Sequence, residues 1–123
     1  MSDKPYLTIL RNEFDGEDQS FILRLRSDLI WDKAAFLRLV TAMEQCCVDL
    51  EGTQKFDRWL AEGFWYFAWF VREWASHESF PRVFSSEYYE GAFNLLFDLS
   101  FYFFSGDHPY TDRCFPFFTE NPN

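Results

Sequence analysis

Glu73 and His77 stand four residues apart, and Glu62, Tyr66 and Trp69 precede them at three- and four-residue steps. On a helix this spacing lines all five along one side, so a carboxylate and an imidazole sit one turn apart and can share a proton or ligate a metal. Two ligands fall short of a zinc site, which takes at least three from the protein, and the third would have to come from the distant Asp107 or His108. A histidine near a helix C-terminus is also favoured there simply as partial positive charge. Neither a metal nor a cofactor is expected. Trp65, Tyr66, Trp69, Glu73 and His77 are instead the material for an aromatic pocket that would bind, or act on, a small ligand.

Nucleophilic chemistry has less to work with. Cys46 and Cys47 fall on or near the apolar stripe of a helical stretch, as packing residues do. Cys114 lies beside Arg113, whose charge would favour a thiolate, but no histidine is close in sequence. Three cysteines without the spacing of a disulfide framework suit a reducing, cytoplasmic setting. No Gly-rich phosphate loop, paired-carboxylate motif or nucleophile elbow occurs among the five glycines, so an enzyme is not the expectation.

Charge points elsewhere. Twenty acidic residues against 11 basic ones leave a net −9. That field repels nucleic acid and anionic lipid and draws in a basic protein, although solubility alone accounts for many acidic chains. From Phe80 onward six acids face two arginines, a net of −4, and Glu87, Glu90, Asn94, Asp98 and Tyr102 form the stripe opposite the apolar face of the helix there. Glu87, Glu90, Asp98, Tyr102, Asp107 and Tyr110 are the candidate partner-binding residues, joined by Tyr88 in a mix of carboxylate and tyrosine that suits recognition of a basic surface.

The elements that must position these residues are mainly α in one domain, 1–123. A three-helix core is expected, with an N-terminal β-hairpin and an irregular aromatic C-terminal tail. Within 1–31, Tyr6 to Phe14 and Ser20 to Arg26 alternate around Asp15-Gly16, a hairpin signal, although Leu7 to Leu10 equally opens a helix. Helices are expected over 32–51, with Asp32 as N-cap and Phe36, Leu39, Val40, Met43, Cys47 and Leu50 inward, and over 54–77 and 87–104. The second reads apolar nearly all round, as a central helix does. The third has Tyr89, Ala92, Phe93, Leu96, Leu99 and Phe103 inward, with Gly106 to end it. The tail, 107–123, should dock through Cys114, Phe115, Phe117 and Phe118. The longest apolar run, Phe64 to Val71, is far short of the ~20 residues that span a bilayer, and Met1-Ser2-Asp3-Lys4-Pro5 has no apolar stretch of the secretory kind.

Phe occurs 17 times, Tyr 6 and Trp 5, more ring surface than one body of this size is expected to hide. The segment from Gly63-Phe64-Trp65-Tyr66 through Ser79-Phe80-Pro81-Arg82, Glu87-Tyr88-Tyr89 and Gly106-Asp107-His108-Pro109-Tyr110 resembles small acidic bacterial immunity proteins of polymorphic-toxin systems. The resemblance carries over no site residue. It implies a cytosolic protein that covers a toxin's active site or an essential surface. The expectation is a non-enzymatic domain that neutralises a basic toxin or nuclease. The alternative is the aromatic pocket, and a third option has surplus rings of two copies meeting in a homo-oligomer.

Overall fold

The structure, a computed structural model, describes residues 4–120. Six helices follow in order: α1 Pro5–Phe14, α2 Phe21–Asp28, α3 Lys33–Asp49, α4 Arg58–Ser76, α5 Ser86–Ser105 and α6 Pro116–Glu120. The mainly α class is as expected. Among the described residues there is no strand, so the N-terminal hairpin is replaced by two helices.

Local chemistry explains the replacement. Pro5 lies in the first turn of α1, where its missing N–H is no loss. Tyr6, Leu10 and Glu13 then recur at helical steps on the buried side, and this spacing prevails over the apparent alternation. Asp15-Gly16 ends α1 instead of turning a hairpin: the Gly16 N–H donates to the Glu13 carbonyl (3.1 Å) with Gly16 at φ 68°. Ser20 caps α2, its Oγ accepting from the Leu23 N–H (3.2 Å).

The three longer helices fall close to their expected bounds. Asp32 caps α3 through the Ala35 N–H (3.0 Å) and also accepts from Arg24 (2.8 Å), tying α2 to α3. Ser85 caps α5 through the Tyr88 N–H (3.1 Å), and Gly106 ends it at φ 80°. α4 starts later than expected, so Phe56 precedes it and is exposed. The tail contains the short α6, which packs on α5 with Phe115 and Phe117 buried. Cys114 is exposed, contrary to its expected docking, and 121–123 of the expected tail, like 1–3 at the other end, lie outside the described residues.

α1 packs along α3, α3 along α5, and α5 along α4. Phe14 links α1 to α4, because its ring lies where a Cβ on Gly63 would be, 2.1 Å from Cδ2. The same ring meets Trp59, Phe64 and Phe67 at 5.1–6.1 Å. α4 buries Leu60, Gly63, Phe64, Phe67, Val71 and Ala75 but leaves Trp65 and Trp69 in solvent, so it is a flank of the bundle rather than its centre. α5 is the central helix, buried on two sides through Tyr88, Leu95 and Tyr102 as well as the six residues expected inward.

Among the described residues Glu13 is the one charged side chain that is buried, 2% exposed. Its carboxylate accepts from the Phe21 N–H (2.8 Å) and from Arg38 (3.3 Å), joining α1, the start of α2 and α3. Burial holds its carboxyl above the usual carboxylate range, against the opposing pull of those two partners.

Two stability predictions follow from this packing. Gly63→Ala should cost about 1–2 kcal/mol in urea unfolding, because displacement of the Phe14 ring outweighs better helix propensity. An acid with a raised folded pKa contributes stability below its unfolded value and loses it as pH rises through the folded one. Glu13→Gln should therefore gain on the wild type as pH rises above the unfolded carboxyl value of about 4.3; parallel pH profiles for the two proteins would contradict the dominance of burial.

Candidate functional site

Two exposed faces compete for the role of functional site, and the first is the solvent side of α5. Glu87, Glu90, Asn94, Phe97, Phe101 and Phe104 are all exposed and follow one another by three, four, three, four and three residues. That rhythm averages close to the 3.6 residues of a turn, so the six side chains hold one line roughly 25 Å long. The line begins acidic and ends aromatic. Glu87 occupies the first turn, where negative charge also suits the helix dipole, and Glu90 follows in the second. Phe97, Phe101 and Phe104 are 65%, 50% and 47% exposed.

The expected stripe drifts off this line, because Glu90, Asn94, Asp98 and Tyr102 advance by four residues, and each such step turns about 40° beyond a full turn. Asp98 is carried round to the docked tail, and Tyr102 into the interior. Tyr102 is 1% exposed and donates its hydroxyl to Glu51 (3.0 Å), so it is a structural residue, not a contact surface. Tyr88 is likewise buried, its oxygen accepting from the Trp31 indole N–H (3.0 Å). Asp107 is exposed in the turn after α5.

Beside the stripe, α5 and the tail enclose a groove of about 280 Å³ where Glu87, Asn94 and Asp98 face Tyr110, Phe115 and Phe117. The groove thus unites Glu87, Asp98 and Tyr110 of the expected set. Tyr110 donates to Asp98 (2.6 Å), a bond that pushes the phenol up to about 12, with burial adding to it. The tail's position depends on Arg113, which holds Glu51 through two nitrogens (2.9 and 3.1 Å) and also donates to Tyr102 (3.1 Å). His108 packs on Phe115 and Tyr102, ring centroids 4.6 and 4.8 Å apart, and its Nδ1 accepts from the Tyr110 N–H (3.0 Å). Burial lowers its pKa, and the Arg113 charge lowers it further.

The second face belongs to α4. Trp65 and Trp69, 60% and 51% exposed, stack at 5.9 Å; Tyr66, Phe70 and Trp74 stack in a parallel ladder at 5.0 and 5.3 Å. The expected aromatic pocket is divided between two hollows. Trp65 and Tyr66 border one of about 260 Å³ with Phe14, Trp59 and Glu62. Trp69, Glu73 and His77 border another of about 400 Å³ with Phe70, Trp74 and Phe80.

Among the described residues no three His, Cys, Asp or Glu side chains are grouped to hold a metal, and His108 is committed to the tail rather than to Glu73 and His77. Cys46 and Cys47 are buried, and burial pushes the Cys46 thiol up to about 12. No described helix is long and apolar enough to cross a membrane.

No family model, curated protein or solved structure matches the chain. Its function therefore has to be read from its own surfaces.

Two features were missed in the sequence. The Phe97-Phe101-Phe104 line continues Glu87-Glu90-Asn94 at alternating three- and four-residue steps, and that spacing is its one sign in the sequence. Leu29 joins the larger α4 hollow only because it ends α2 in a left-handed conformation (φ 56°), and no residue type announced that.

The Tyr110–Asp98 bond has a spectroscopic consequence. Asp98→Asn should bring the Tyr110 titration, followed by carbon NMR of the phenol ring, back toward the ordinary value of 10.0. An unchanged titration would mean that burial, not the carboxylate, sets it.

Proposed function

We propose that the chain is a non-enzymatic protein-binding domain of the cytoplasm, an immunity or inhibitor protein that neutralises a basic partner such as a toxin or nuclease domain. The observation that carries the reading is the solvent line of α5, on which two carboxylates and an asparagine lead into three exposed phenylalanines. Carboxylates in a field of net −9 steer a basic protein at long range, and rings left in water gain most when a partner covers them. The division of labour is that of a protein interface, with charge raising the association rate and apolar burial slowing dissociation. The adjoining groove, with Glu87 and Asp98, adds a recess for a basic side chain. The immunity assignment itself leans on the sequence resemblance alone.

Affinity capture from the native host should recover a basic protein whose retention is lost with the pair Phe97→Ser and Phe101→Ser. With the pair Glu87→Lys and Glu90→Lys its association should slow about tenfold, an effect that high salt removes. All four positions are exposed, so the melting temperature should hold for the ring pair and fall only slightly for the lysine pair, which reverses the charge that Glu87 sets against the helix dipole. Full retention by the ring variant contradicts the reading, and capture of nothing but further copies of this chain would assign the stripe to self-association.

A further inference from the structure

The larger hollow on α4 lies apart from the α5 stripe and has a chemistry of its own. Trp69, Phe70, Trp74 and Phe80 form its walls, Leu29 borders it, and Glu73, His77 and Ser79 are its polar members. At about 400 Å³ it is within the range of small-ligand sites.

Its polar groups are already sorted. The Trp74 indole N–H is engaged by the Leu25 carbonyl (3.0 Å). His77 Nδ1 accepts from the Ser79 N–H (3.0 Å), which leaves Nε2 as the ring atom free to face the hollow. Among the described residues Glu73 has no ion-pair partner, the four pairs formed being Lys4–Asp49, Arg24–Asp32, Arg38–Glu13 and Arg113–Glu51. With histidine counted neutral at pH 7, the one formal charge of the lining is that of Glu73, and it is negative.

Ring faces add to that field, since the quadrupole of an aromatic ring attracts cations. This protein already sets cations against its rings: Arg11 lies 4.0 Å from the Trp59 centroid, Lys33 4.2 Å from Phe84, and Arg82 4.8 Å from Tyr89. Phe70 itself has Arg26 at 5.7 Å, although Arg26 does not line the hollow. An anion here would meet Glu73 and the net −9, and a neutral apolar guest would cover Glu73 without compensating its charge.

We propose that this hollow binds an organic cation, an alkylated ammonium or a guanidinium group, held among Trp69, Trp74 and Phe80 with Glu73 as its counter-charge. A quaternary ammonium has no hydrogen bond to offer, so rings suit it better than polar walls. The group belongs either to a free small molecule or to a basic side chain of a protein. Neither source requires the α5 stripe to be an interface, so the site stands or falls independently of the partner-binding reading.

Titration of the whole chain with choline, and separately with blocked arginine and trimethyllysine peptides, can be followed by NMR of the tryptophan indole N–H groups. Those of Trp69 and Trp74 should shift saturably, while Trp31, buried and bonded to Tyr88, stays still. Choline's uncharged carbon isostere, with tert-butyl in place of trimethylammonium, should bind at least about fivefold more weakly. Glu73→Gln should weaken choline about five- to tenfold with no change in melting temperature, and Trp69→Ala should abolish binding. Tighter binding of a peptide than of choline identifies a protein side chain as the source, and the reverse order identifies a small molecule. An isostere that binds as tightly as the cation, or no saturable shift with any cation, overturns the proposal.

Discussion

Trp31 lies outside every helix, yet the packing of three helices converges on it. Its ring meets Phe21 of α2 at 4.9 Å, Phe36 of α3 at 5.0 Å and Tyr89 of α5 at 5.2 Å, two of the three edge to face. Its indole N–H is satisfied by Tyr88 on α5. Flat rings fill space well only in a few mutual orientations, so each ring placed around Trp31 restricts the next. The same constraint operates at the other end of the bundle, where Phe14 occupies the room that Gly63 vacates. A core built this way specifies its geometry strongly but is inflexible about volume.

That inflexibility explains the surface. Once the sites around Trp31 and Phe14 are filled, Trp65, Trp69, Phe97, Phe101 and Phe104 have no interior left to enter. They remain outside on two neighbouring helices with different company. On α5 the rings continue a line of carboxylates. On α4 Trp69 stands beside Glu73 at one hollow and Trp65 beside Glu62 at another. Two surfaces of different chemistry thus arise from one packing surplus, an extended stripe and a half-open hollow.

The tail shows how a segment without regular sequence pattern acquires a place. Arg113, itself at φ 60°, bridges Glu51 after α3 and Tyr102 on α5, and Phe115 and Phe117 are buried behind it. Apolarity announced that the tail would dock. Where it docked is set by the contacts of Phe115 with Tyr102 and of Phe117 with Phe36, with an ion pair between residues 62 positions apart added at the rim.

Helix caps were legible in the chain, and so was most of the core. Asp32 and Gly106 act where their chemistry places them, because capping is settled within one turn. The buried stripes of α3 and α5 follow from 3.6-residue periodicity for the same local reason. The N-terminal segment misled because alternation over a few residues is compatible with both periods, and Pro5, Ser20 and the α3 and α5 surfaces had to choose between them. Which rings lie outside was decided only in three dimensions. Phe103 is stacked inside at 4.3 Å from Phe64 while its neighbour Phe104 faces solvent, and no property of phenylalanine separates the two. Composition determined that rings would be left over; the order in which helices pack determined which ones, and therefore where this protein can be touched.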